Sequence, residues 1–81
     1  MAAASSPEAC FARALREERK EAGLTQEDLG LAIDIGPGEI SILESGRRSP
    51  QLRTMRRLAD GLGVPLSQIF ERAEEFEAKG V

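Results

Sequence analysis

The chain has no histidine, tyrosine or tryptophan, one cysteine and three phenylalanines among its 81 residues. Each shortage excludes something. Without histidine, neither a Ser-His-Asp nor a Cys-His nucleophile system can be assembled. One cysteine and no histidine also exclude the usual zinc and transition-metal ligand sets. Cys10 alone cannot close an internal disulfide, which fits a reducing cytoplasm, and it reads as a small apolar residue at the start of a helix. No apolar run approaches the ~20 residues that a membrane helix needs. The first residues lack the basic and long apolar regions of a signal peptide. Gly36-Pro37-Gly38 has neither the following lysine nor the preceding strand of a phosphate-binding loop. An enzyme is therefore not expected, and neither is a cofactor or a metal.

What is present is helical. β-branched residues are few and no apolar–polar alternation runs along the chain, so there is no case for a sheet. The length allows one small domain with a modest core. Residues 1–8, rich in Ala and Ser with Pro7, are expected to form a disordered tail, and 9–81 a single domain. A first helix is predicted over about Glu8–Glu21, with Phe11, Ala14, Leu15 and Ala22 on one face, stopping at Gly23. A fourth is predicted over about Gln51–Leu62, with Leu52, Met55, Leu58, Ala59 and Leu62 at spacings of three and four, capped by Gly63. A fifth starts near Pro65 or Leu66. Its Ile69, Phe70, Ala73 and Phe76 form an apolar stripe opposite Glu71, Glu74, Glu75 and Glu77, which read as solvated.

Between these lie two short helices joined by a tight turn. Thr25 stands where an N-cap hydroxyl belongs, and Asp28 completes a weak capping box. Leu29, Ala32 and Ile33 recur at helical spacing. Asp34 occupies the turn, and Asp tolerates a left-handed backbone. Gly36 is a candidate N-cap with Pro37 at the first helical position. Ile35 and Ile40 are spaced as a hydrophobic staple, Ile40 and Leu43 face inward, and Gly46 ends the helix. Two helices joined so closely form a helix-turn-helix candidate, whose second helix would enter a DNA major groove.

From Phe11 to Phe70 the chain resembles the lambda-repressor-like helix-turn-helix family, also called the Cro/repressor or XRE type. The resemblance rests on Leu15-Arg16…Arg19, Gly23-Leu24-Thr25-Gln26-Glu27-Asp28-Leu29, Ile40-Ser41…Leu43-Glu44-Ser45-Gly46-Arg47-Arg48-Ser49-Pro50, and Leu58-Ala59…Leu62-Gly63-Val64-Pro65-Leu66. Each motif alone is weak; in this order they are specific. The resemblance implies a compact all-α domain of five helices. It also implies that Gln26 holds a DNA phosphate, where a helix N-terminus already favours an anion. Arg47 and Arg48 are expected to lie along the DNA backbone, and Arg19 and Glu44 to pair across the first and third helices. With Arg53, Arg56 and Arg57, the two loop arginines make five cations and no acid between positions 47 and 57. The last three are read as mainly structural or solvated.

Departures from the family pattern weigh against simple base reading. The positions that would meet base edges are Gly36, Pro37, Gly38, Glu39, Ser41 and Ile42. Pro37 and Gly38 have no hydrogen-bonding side chain. Glu39 can accept from cytosine N4 but is repelled by phosphates, and Ile42 can meet only a thymine methyl. The net charge of −3 adds no general attraction for DNA. Direct readout is expected to be sparse, with Glu39 and Ser41 its best candidates and DNA shape carrying the rest. The leading reading is a cytoplasmic transcriptional regulator that binds duplex DNA as a homodimer. The stripe Ile69, Ala73, Phe76 would form the dimer interface, since exposed apolar stripes mark interfaces; the competing possibility is that the fifth helix folds back on its own domain. The alternative function is a protein-interaction module, antitoxin-like or bridging, with reduced DNA binding.

Overall fold

The computed structural model describes residues 6–80. Five helices follow in order: α1 (Pro7–Glu21), α2 (Gln26–Ile33), α3 (Pro37–Ser45), α4 (Leu52–Leu62) and α5 (Leu66–Lys79). There is no strand among the described residues, and the all-α expectation holds. The Ser6 hydroxyl caps α1 by accepting from the Ala9 amide at 3.1 Å, and Pro7 takes the first turn, where its missing N–H costs nothing. Of the expected tail 1–8, Ser6 is thus a helix cap and Pro7 the first residue of the helix, one position before the predicted start at Glu8; residues 1–5 lie outside the described residues.

α1 packs chiefly against α5 and also against α3. Its buried face gives Cys10, Phe11, Ala14 and Leu15 to one core with Leu29, Ile33, Ile40, Leu43, Leu58, Ala59, Leu62, Ile69 and Ala73. Burial pushes the Cys10 thiol pKa up, which fits a packed apolar role rather than a reactive one. A polar clamp also joins α1 to α5. Gln68 donates to Glu18 Oε1 at 2.9 Å, and Arg72 reaches Glu18 at 3.0 Å and Glu21 at 2.8 Å.

This packing takes Ile69 and Ala73 out of the dimer interface expected of Ile69, Ala73 and Phe76. Ile69 is fully buried and Ala73 nearly so, both against the chain's own core. Phe76 packs on the same core, and the Arg13 guanidinium lies 4.5 Å from its ring centroid, a cation–π distance. The stripe is satisfied by α1, so α5 folds back. Leu52 and Ala22 differ from expectation too. Leu52 opens α4 and is 67% exposed, while Leu58, Ala59 and Leu62 of the same helix are buried. Ala22 caps the end of α1 and is exposed. Among the described residues no helix is long and apolar enough to cross a membrane.

Candidate nucleic-acid interface

The turn that joins α2 to α3 is built by local chemistry. The Thr25 hydroxyl accepts from the Asp28 amide and the Asp28 carboxylate accepts from the Thr25 amide, both at 3.0 Å, a complete capping box. The hydrogen bond from the Thr25 backbone, then that from its side chain, holds the Asp28 carboxyl below its usual pKa. Asp34 ends α2 with φ of 59°, the left-handed conformation expected of it. The chain then folds back so that the Ile35 amide donates to the Gly30 carbonyl at 2.8 Å. A Cβ at position 30 would run into the Ile35 carbonyl, so only glycine admits a turn this tight. Gly36 caps α3 without a side-chain bond and Pro37 begins it. Gly46, with φ of 79°, ends it.

α3 is held by one face. Ile40 and Leu43 are buried, as the spacing predicts. Gly38, Ser41 and Ser45 therefore fall on the opposite, exposed side, and Ile42 is half-buried beside them. Gly36 and Pro37 are exposed at its start. Glu44 and Glu39 lie on the two flanks between core and solvent, each with an arginine.

On the Glu44 flank, Arg19 makes a two-pronged pair, Nε to Oε2 at 2.6 Å and Nη2 to Oε1 at 3.0 Å. Arg19 Nη1 also donates to the Leu24 carbonyl at 2.8 Å. The pair expected between α1 and α3 is therefore present and largely buried. The hydrogen bond to Glu44 strengthens the hold of Arg19 on its proton, outweighing the opposing effect of burial. Gln26 joins this cluster, its Nε2 donating to Glu44 Oε1 at 3.0 Å. Its side chain is thereby turned inward, which leaves the amide end of α2 as the feature that favours an anion there.

On the other flank, Arg48 pairs with Glu39 across nine positions of sequence. Two residues expected to approach DNA thus neutralise one another, and Glu39 is drawn to the side of α3 rather than presented at the centre of its exposed face. Arg47 is held differently: its backbone and Nε N–H groups both donate to Ser45 Oγ at 3.2 Å. Ser45 itself donates to the Ile42 carbonyl at 2.6 Å. Ser45 was not among the sequence-predicted positions, although its spacing of four from Ser41 places it on the same face. Arg56 sits 3.7 Å from Asp60, and Arg57 reaches the Ile33 carbonyl, in keeping with structural or solvated roles. Among the described residues no group of three or more His, Cys, Asp or Glu could hold a metal ion.

The outward face of α3 is thus narrow, small and nearly uncharged. The Ser41 hydroxyl is its open side-chain hydrogen-bonding group, that of Ser45 being engaged by Ile42 and Arg47, with charged pairs to either side. Such a surface can approach a groove closely but has little with which to distinguish bases.

Comparisons with known proteins agree with this architecture. The family described as helix-turn-helix matches residues 15–69. The cryptic phage CTXphi transcriptional repressor RstR of Vibrio cholerae is 33% identical over 64 residues, 79% of this chain and 58% of that protein. The control protein C.MunI of a Mycoplasma species is 33% identical over 66 residues, 80% of this chain and 89% of that protein. Among solved structures, the clp gene regulator ClgR of Corynebacterium glutamicum superposes with a TM-score of 0.88 at 26% identity, covering 91% of this chain and 79% of that one. The chain spans little more than half the length of RstR. A repressor, a control protein and a gene regulator are regulatory proteins rather than enzymes.

Proposed function

The chain belongs to the helix-turn-helix family, and on that premise we propose that it is a DNA-binding transcriptional regulator of the cytoplasm. It lays the exposed face of α3 in the major groove of duplex DNA. The observation that carries this reading is the geometry of α3: core on one side, and an unobstructed face on the other that ends at Arg47 and Arg48. Arg47 and Arg48 contact phosphates, Gln26 marks the α2 terminus that receives another, and Gly36, Pro37, Gly38, Ser41 and Ile42 line the groove. Glu39 acts mainly through Arg48. Base contacts are few, so specificity rests largely on DNA shape.

Changing Arg47 and Arg48 together to Ala is expected to weaken binding to all duplexes. The slope of log K against log salt should become less steep by about 1.8, ~0.9 for each phosphate that is no longer neutralised. Fluorescence anisotropy across a salt series measures both quantities. An unchanged slope would show that the two arginines do not touch phosphate. If the parent binds no duplex even at low salt, the protein-interaction reading takes its place.

A homodimer is the second part of the proposal. Its contact cannot use Ile69 and Ala73, which the chain's own core occupies. It falls instead to Phe70 and Leu52, which are 39% and 67% exposed on α5 and α4. A two-fold arrangement would set two α3 helices about one DNA turn apart, ~34 Å, which offsets the poor base-reading chemistry of each. Sedimentation should find the parent dimeric and Phe70→Glu monomeric. A parent that stays monomeric at high micromolar concentration would rule the dimer out.

A further inference from the structure

An open polar groove of about 390 Å³ runs between α1 and the C-terminal end of α3. Arg13, Arg16, Glu17 and Lys20 line it from α1, and Glu44 and Ser45 from α3. The Glu44 carboxylate is committed to Arg19 and Gln26. Glu17 is thus the one lining acid that remains to set against three lining cations. Arg13 rests on the Phe76 ring. Arg16 and Lys20, one helical turn apart and both exposed, have no ion-pair or hydrogen-bond partner among the described residues. Arg53 and Lys79 share that state, but neither lines this groove.

We infer that Arg16 and Lys20 form a further DNA-phosphate contact, on the strand opposite to the one that Arg48 meets. The inference rests on the DNA-binding function proposed for α3 and adds α1 to the interface. The major groove is ~12 Å wide and bounded by a phosphate backbone on each side, and a helix with its side chains is ~10–12 Å across. A helix that fills the groove therefore has one strand along each flank. Arg48 lies on the Glu39 flank of α3. The groove with Arg16 and Lys20 opens on the Glu44 flank and reaches Ser45, a residue of the exposed face. Two cations without acidic partners, placed there, release counterions when a phosphate arrives and break no internal pair. Arg48, by contrast, must leave or share Glu39.

The test compares salt slopes for binding to mixed-sequence duplex DNA by four proteins. They are the parent, Arg16→Ala/Lys20→Ala, Arg47→Ala/Arg48→Ala, and the charge-matched control Arg56→Ala/Lys79→Ala. Circular dichroism melts confirm that each is folded. The α1 variant is expected to have a slope shallower by about 1.8, while the control changes little. An α1 variant indistinguishable from the control overturns the inference, and it leaves the DNA-binding function standing if the Arg47/Arg48 variant still flattens the slope. A parent that fails to bind at low salt overturns both.

Discussion

Replacing Glu44 by alanine is expected to destabilise the domain by about 3–5 kcal/mol, as one-sided removal of a buried ion pair does. The side chains of Arg19 and Glu44 are 10% and 4% exposed, so neither charge can be reclaimed by water without moving. Truncating Glu44 strips Arg19 of both prongs of its pair and removes the acceptor of Gln26. The hydrogen bond from Arg19 to the Leu24 carbonyl survives, but it cannot neutralise the guanidinium. Replacing both partners by methionine should recover most of the loss, because no buried charge then stays uncompensated. Urea denaturation of the single and double variants measures the difference. A Glu44→Ala protein as stable as the parent would mean that the pair opens to solvent and does not fix α3 against α1.

The functional consequence separates this pair from an ordinary core contact. It joins the end of α1, the first residue of α2 and the last turn of α3, so it sets the angle at which α3 meets its target. The paired methionine variant should therefore fold well and yet bind DNA less well.

Much of this arrangement was legible in the sequence because its determinants are local. Thr25 and Asp28, Asp34, Gly36-Pro37 and Gly46 each act over a single turn, and cap and turn chemistry depends on neighbours only. All of them occupy the expected conformations. The fate of α5 was not legible. An apolar stripe states that a face must be covered, without saying by what; here α1 covers Ile69 and Ala73, leaving Phe70 rather than Phe76 exposed. Leu52 shows the same limit, since its spacing matches a buried face that the packing does not extend to. The pairing of Glu39 with Arg48 was hidden for another reason. It joins the first turn of a helix to the loop beyond its far end, a proximity that no helical period encodes.

Leu43→Ala is expected to cost about 2–5 kcal/mol, the range for deleting a buried leucine. Leu43 is 2% exposed and packs in the core shared with Phe11, Leu15 and Ile40. It also floors a mostly apolar groove lined by Pro7, Phe11, Met55 and Phe70, so truncation would deepen an existing opening rather than create a sealed void. Partial collapse or entry of water there favours the lower half of the range. The same variant tests the rotation of α3. Gly38, Ser41 and Ser45 can face DNA only if Ile40 and Leu43 face the core, since one helix cannot turn both sets inward. Ser41→Ala, on the exposed side, should therefore change stability by no more than about 0.5 kcal/mol. Thermal melts of the two variants give opposite patterns for the two rotations. A stable Leu43→Ala beside an unstable Ser41→Ala would place the wrong face of α3 against DNA and remove the geometric basis of the proposed interface.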